Sequence, residues 1–263
     1  MANPLFLVSV TSVVLGGVAS LFMMIPLGSN FWEYYSYDEQ ALNTFNNSRS
    51  DIFNVVLVNP NESAKIYRVD FKPDKNNRSN TPAYLFSQYS GLIRICSQVS
   101  AETKAKCNHL PDMWKNPCYN FVTEYDEETS TLNAKGNILA KMQTSAASCL
   151  IVSTIDLMTA SALGIIAVFK KQVALVMVTG TLYMMAGIFG VFTLVITYTK
   201  RTYEIEDCFY FVTLPPQLCH TRQITYGYPI TLMWIGVFFC VATCAIWIFL
   251  ARALTVIKSK VMM

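Results

Sequence analysis

Charge is what this chain lacks over long stretches. Between Met1 and Glu33, Lys141 and Lys170, Lys171 and Lys200, and Arg222 and Arg252 there is one charged side chain, Asp156. Four such runs within 263 residues leave too little polar chain to cover them, which excludes an ordinary soluble fold. Histidine is also scarce: His109 and His220 are the only two and stand far apart, so metal-ligand spacing and histidine-centred catalysis are excluded. With no nucleophile–base pair and no phosphate-cradling glycine loop, the chain is expected to be a non-enzyme without a cofactor. Basic and acidic residues nearly balance in its longest polar segment, and there is no basic stripe to hold nucleic acid.

What is present is apolar length. Each run exceeds the ~20 residues a helix needs to cross ~30 Å of hydrocarbon, where every backbone N–H and C=O must be paired within the segment. Helices are expected over 5–27, 145–169, 173–199 and 228–251. The first run has no basic flank and is longer than a signal-peptide core of 7–15 residues, so it reads as a retained span. Lys170 and Lys171 fill the connection between the second and third helices, and Arg252, Lys258 and Lys260 follow the fourth. Basic residues at helix ends stay in the cytoplasm, which predicts both termini inside, at the plasma membrane. The organisation is then 1–28 for the N-terminus and first helix, 29–144 for a large extracellular loop, 145–199 for helices two and three, 200–227 for a second extracellular loop, and 228–263 for helix four and the tail.

The large loop carries three glycosylation acceptor sequences, at Asn46, Asn61 and Asn77. Segments 31–37, 54–58, 66–71 and 91–96 are rich in β-branched and aromatic residues and bounded by turn formers, so they read as strands; 208–214 in the second loop reads as a fifth. A small antiparallel sheet would bury one face of these strands and pair their backbones. The acidic stretch 124–128 reads as a solvated run leading into helix two.

Five cysteines fall outside the predicted helices, in an oxidising compartment. The simplest pairing is Cys96 with Cys107 and Cys208 with Cys219. That leaves Cys118 as an unassigned thiol: free, bonded to a partner chain, or part of a rearranged set. Cys149, Cys240 and Cys244 lie within helices and read as small apolar packing. Asp156, near the middle of helix two, is costly in lipid unless it faces a polar partner. Ser12, Thr181 or Tyr183 within the bundle are the expected partners, with a group on another protein's helix as the alternative. Ala160 with Gly164, and Ala186 with Gly190, allow close helix approach.

Two stretches carry a family likeness. Gly28-Ser-Asn-Phe-Trp32 follows helix one, and Ser90-Gly-Leu-Ile-Arg-Ile-Cys96 is followed by Cys107 and Leu110-Pro111. This resembles the claudin and calcium-channel γ-subunit superfamily, whose first loop has a Trp, then Gly-Leu-Trp-x-x-Cys and a second Cys. Trp32, Gly91, Leu92, Arg94, Cys96 and Cys107 are the matching positions, and Arg94 is similar to the γ subunits and the transmembrane AMPA-receptor regulatory proteins. The small-residue-rich third helix, with Thr179-Gly-Thr-Leu-Tyr-Met-Met-Ala-Gly187, and Tyr226-Gly-Tyr228 before helix four are similar as well. Ile93 replaces the motif's second Trp, and the first loop is longer between Trp32 and Gly91. The resemblance implies an all-α membrane bundle with an extracellular β-sheet: a left-handed four-helix transmembrane bundle, claudin-like, topped by a small antiparallel sheet.

The function this implies is that of an auxiliary subunit held in the lipid bilayer beside a larger channel or receptor, modulating its gating, assembly or trafficking. The alternative is a claudin-like adhesion or junction protein that self-associates in trans. Epitope tags at either terminus are expected to be reached by antibody only after cells are permeabilised. Labelling of intact cells at either end would overturn the orientation.

Overall fold

The computed structural model describes residues 4–48, 53–58, 65–71, 82–105, 116–120, 134–170, 172–206 and 216–262. The chain divides into two compact units, one formed by Met1–Ser29, Ser145–Thr197 and Tyr228–Met263, the other by Asn30–Thr144 and Tyr198–Gly227.

The first unit is a helix bundle. Its helices are α1 (Pro4–Gly28), the bundle part of α4 (Ala134–Lys170), most of α5 (Val173–Glu206) and α6 (Tyr228–Met262). All four are long and apolar enough to cross a membrane. Three run well past the predicted ends, α4 by starting at Ala134 and α5 and α6 by ending at Glu206 and Met262. A helix does not stop where the hydrocarbon does, because its backbone pairs internally in water as well.

Small residues set the packing, as expected. Ala160 and Ala186 are fully buried. Met23 lies between Gly190 and Gly236, where an added Cβ would stand 2.5 Å from its Cε and 3.0 Å from its Cγ and Sδ, respectively. Trp247, fully buried, occupies the room left by Gly164 and Gly180. Hydroxyls add directional contacts that apolar packing in lipid lacks. Ser153 donates to the Ala186 carbonyl (2.8 Å), Thr193 to the Ala146 carbonyl (3.3 Å), and Ser161 bridges Ser20 and Tyr183.

The second unit holds two sheets where one was expected. The larger orders its strands β7-β6-β5-β1-β8, with β1 Glu33–Tyr37, β5 Gln88–Ser90, β6 Arg94–Ser97, β7 Cys118–Asn120 and β8 Arg222–Tyr226. The smaller orders β2 Phe53–Leu57, β3 Ile66–Phe71 and β4 Ala83–Phe86. All neighbours in both sheets are antiparallel. Ile66, Tyr84 and Phe86 share a core with Tyr35, Ile95, Ile224 and Ala140. Tyr67, Val69, Ala83 and Leu85 form a second core with Leu42 and Leu218. Strand β4 is thus buried on both sides, so its sequence runs Ala-Tyr-Leu-Phe with no polar alternation to announce a strand. Leu42 comes from α2 (Glu39–Ser48), whose N-terminus is capped by Asp38 accepting from the Gln40 amide at 2.9 Å. A short helix, α3 (Ala101–Ala105), and a 3-10 turn at Pro216–Thr221 complete the unit.

The predicted strands at 31–37, 54–58, 66–71 and 91–96 correspond to β1, β2, β3 and β6. The strand expected over 208–214 and the acidic run 124–128 lie outside the described residues, and the second loop's described strand is β8.

One cysteine assignment is corrected. Cys96 bonds Cys118, with Cα atoms 4.0 Å apart, and does not pair with Cys107. The register explains it: β6 and β7 run antiparallel with Cys96 directly opposite Cys118, whereas proximity in sequence had pointed to Cys107. Cys107 and Cys208 lie outside the described residues, so the expected Cys208–Cys219 pair does too. Cys118→Ser is expected to destabilise the protein as much as Cys96→Ser, by ~2–5 kcal/mol, and to reduce surface delivery equally. Non-reducing peptide mapping that links Cys96 to another cysteine would overturn the assignment.

Candidate functional site

The segment singled out in the sequence folds as a hairpin turn next to Trp32. Gly91 N–H donates to the Arg94 carbonyl at 2.8 Å, which closes the turn between β5 and β6. Leu92 and Trp32 are buried. Trp32 is held on both sides, its amide donating to the Ser90 carbonyl and its carbonyl accepting from Gly227, each at 2.8 Å. Gln143, on the first turns of α4, donates to the Gly91 carbonyl and approaches Ser90 Oγ at 3.4 Å. The described motif residues Trp32, Gly91, Leu92, Arg94 and Cys96 are therefore brought together, and most of them face inward as scaffold, while Cys107 lies outside the described residues. Arg94 is the exception: it is exposed, and its Nε donates to Asn30 Oδ1 at 2.8 Å. On the same outer face Phe31 stacks on Tyr34 and Tyr89, with ring centroids 6.1 and 5.0 Å away.

The inner face of β1 carries a buried charge network. Period-two alternation sends Glu33 and Tyr35 inward while Tyr34 points out. Lys200, in the part of α5 that belongs to this unit, places its Nζ 2.5 Å from Glu33 Oε2 and 3.4 Å from Glu204 Oε1. Tyr35 Oη lies 2.9 Å from Glu33 Oε2 and 3.0 Å from Glu204 Oε2, where its one proton is shared. Arg222 donates to the Glu204 carbonyl at 2.7 Å, and Arg201 to that of Ile224 at 2.8 Å. The Arg201 guanidinium also covers the Tyr226 ring at 3.7 Å. Glu33, Lys200 and Glu204 are each at most 7 % exposed, so the two acids depend on Lys200 and Arg222 for compensation. Glu33 Oε1 has no hydrogen-bond partner among the described residues. Burial, then the Glu204 and Glu33 carboxylates, push the Tyr35 phenol well above its usual pKa, so it remains a donor at physiological pH.

The sequence model of the family described as PMP-22/EMP/MP20/Claudin tight junction matches residues 17–250. The chain belongs to that family. Comparison with curated proteins gives no match. As a claudin-family member it is a multi-pass membrane protein, with the bundle and antiparallel sheet of that fold.

Two of the expected sites, Asn46 and Asp156, fall among the described residues. Asn46 stands on α2 and its Oδ1 accepts from the Val55 amide at 3.0 Å, which ties α2 to β2; Asn61 and Asn77 lie outside the described residues. Asp156 does not find the bundle partners expected of it. Ser12 donates to the Val8 carbonyl, Thr181 to that of Val178, and Tyr183 pairs with Ser161. For Ser12 and Thr181 the reason is helical geometry, since a hydroxyl on a helix reaches its own carbonyl three or four residues back more readily than a side chain on another helix, whereas Tyr183 is engaged across the bundle by Ser161. At the helix centre an aspartate costs ~2.5–3.5 kcal/mol on insertion scales. No group of three or more His, Cys, Asp or Glu side chains suited to a metal occurs among the described residues.

Lys200, Glu204 and Gln143 escaped the sequence reading. Lys200 marked only the end of an apolar run, and nothing local says that it points at Glu33, 167 residues away. Lys200→Met is expected to cost ~3–5 kcal/mol, read as a loss of thermal stability in detergent, because two buried carboxylates lose their shared cation. Adding Glu33→Gln to that variant should recover part of the loss; strictly additive losses would show that the pair is not coupled.

Proposed function

We propose that this claudin-family protein is an auxiliary subunit of a larger membrane channel or receptor, modulating its gating, assembly or trafficking from the plasma membrane. The observation that carries this reading is the second sheet. Between β1 and β5 the chain forms α2, β2, β3 and β4, whose residues Leu42, Tyr67, Val69 and Leu85 build a second core closed by Leu218. This gives the ectodomain a folded module beyond the five-stranded sheet, a surface suited to the external domain of a partner. Exposed Arg94 and Phe31, with the half-buried Tyr34 and Tyr89 rings, add a patch of the arginine-and-aromatic kind enriched at interfaces. A subunit docked this way alters gating through unequal affinity for the partner's states. Glycans at Asn46, Asn61 and Asn77, with both termini in the cytoplasm, fit the same arrangement.

Purification of the tagged protein from its native tissue in mild detergent, with mass spectrometry of what stays bound, tests the reading. A channel or receptor recovered at fixed stoichiometry is the expected result, together with a shift in that channel's gating when the two are co-expressed. Recovery of only this protein with junctional scaffolds would overturn it in favour of adhesion.

A further inference from the structure

We infer that Asp156 anchors a docking face within the membrane that receives one transmembrane helix of the partner, bearing a lysine or arginine at the depth of the bilayer centre. The inference rests on the auxiliary-subunit reading and names the contact through which it acts. Val152, Ile155, Asp156 and Thr159 follow the spacing i, i+3, i+4, i+7, which puts them on one stripe of α4. Val152 and Ile155 are 39 % and 55 % exposed, Thr159 is exposed and Asp156 partly so, and this stripe faces away from the bundle core of Ser153, Leu157 and Ala160.

Among the described residues the Asp156 carboxylate meets no hydrogen-bond donor and no cation. The Thr159 hydroxyl beside it is turned back onto the Ile155 and Asp156 carbonyls, at 3.0 and 2.9 Å. Lipid headgroups are out of reach. The bundle part of α4 runs from Ser145 to Lys170, which places Asp156 11 residues from one end and 14 from the other. At 1.5 Å per residue that is roughly 16 and 21 Å, too far for a side chain with a single methylene to snorkel. A second copy docking through the same stripe would set carboxylate against carboxylate. A partner helix with a basic side chain supplies the complementary charge, and a long Lys or Arg side chain can span the gap between helix axes.

The test uses the full-length protein in phosphatidylcholine vesicles with a fluorescent synthetic helix of about 22 residues, leucine and alanine with one central lysine. Energy transfer is compared with that of the same peptide carrying a central leucine. The lysine peptide is expected to associate roughly tenfold more tightly, with the preference abolished in Asp156→Leu and reduced in Asp156→Asn. Asp156 is partly exposed and its carboxylate makes no hydrogen bond or ion pair among the described residues, so Asp156→Leu is expected to fold, which retained thermal stability in detergent checks.

Equal association of the two peptides, or a preference that survives Asp156→Leu, would overturn the inference. So would Asp156-dependent dimers of this protein without a peptide preference. Recovery of the native channel by Asp156→Leu at undiminished yield would sink the docking face and leave the auxiliary role standing. A lysine preference with no channel in the native purification would do the reverse.

Discussion

An ammonium buried beside two carboxylates fixes more of the extramembrane unit than any other contact. Lys200 can be dehydrated only because Glu33 and Glu204 stand within reach, and Glu33 can be inward-facing only if β1 keeps its register. A one-residue slip of β1 would turn Glu33 and Tyr35 outward and bring Tyr34 into the core. Register in turn fixes Trp32, whose amide and carbonyl are held by Ser90 at the end of β5 and by Gly227 just past the end of β8. The buried charges therefore act less as a source of net stability than as a specification of how strands and helix end must align. A hydrophobic replacement of the whole network could be as stable and would specify less.

The same alignment accounts for the disulfide. Once β5 pairs with β6 and β6 with β7, Cys96 has Cys118 directly across the ladder. Connectivity was decided by the sheet, and the loop it closes spans 22 residues in sequence. The two-sheet arrangement follows comparable logic. Strand β3 offers Ile66 to one core and Tyr67 and Val69 to the other, so the inserted segment packs against the five-stranded sheet's core and builds its own on its far side.

In the bundle, close approach is set by missing side chains. Met23 and Trp247 fit where Gly190, Gly236, Gly164 and Gly180 leave room, and hydroxyl pairs such as Ser20 with Ser161 supply direction. Asp156 stands apart from this economy of small groups. Every hydroxyl nominated for it satisfies a carbonyl of its own helix or another hydroxyl, and the carboxylate is left on the rim between core and lipid-facing surface.

The four spans, the Trp32 and Gly91–Cys96 signature, the family, and β1, β2, β3 and β6 were legible in the chain, because hydrocarbon thickness and strand alternation write themselves into consecutive residues. Strands of three residues such as β5 and β7, a strand buried on both faces such as β4, and α2 left too short or too uniform a pattern to read. The Cys96–Cys118 bond, the Glu33–Lys200–Glu204 network, Gln143 against Gly91 and the unpartnered state of Asp156 were decided only by tertiary structure. Each joins, or fails to join, residues far apart in sequence, and which side chains meet across such distances is fixed by strand register and helix rotation, quantities that no local stretch of sequence encodes.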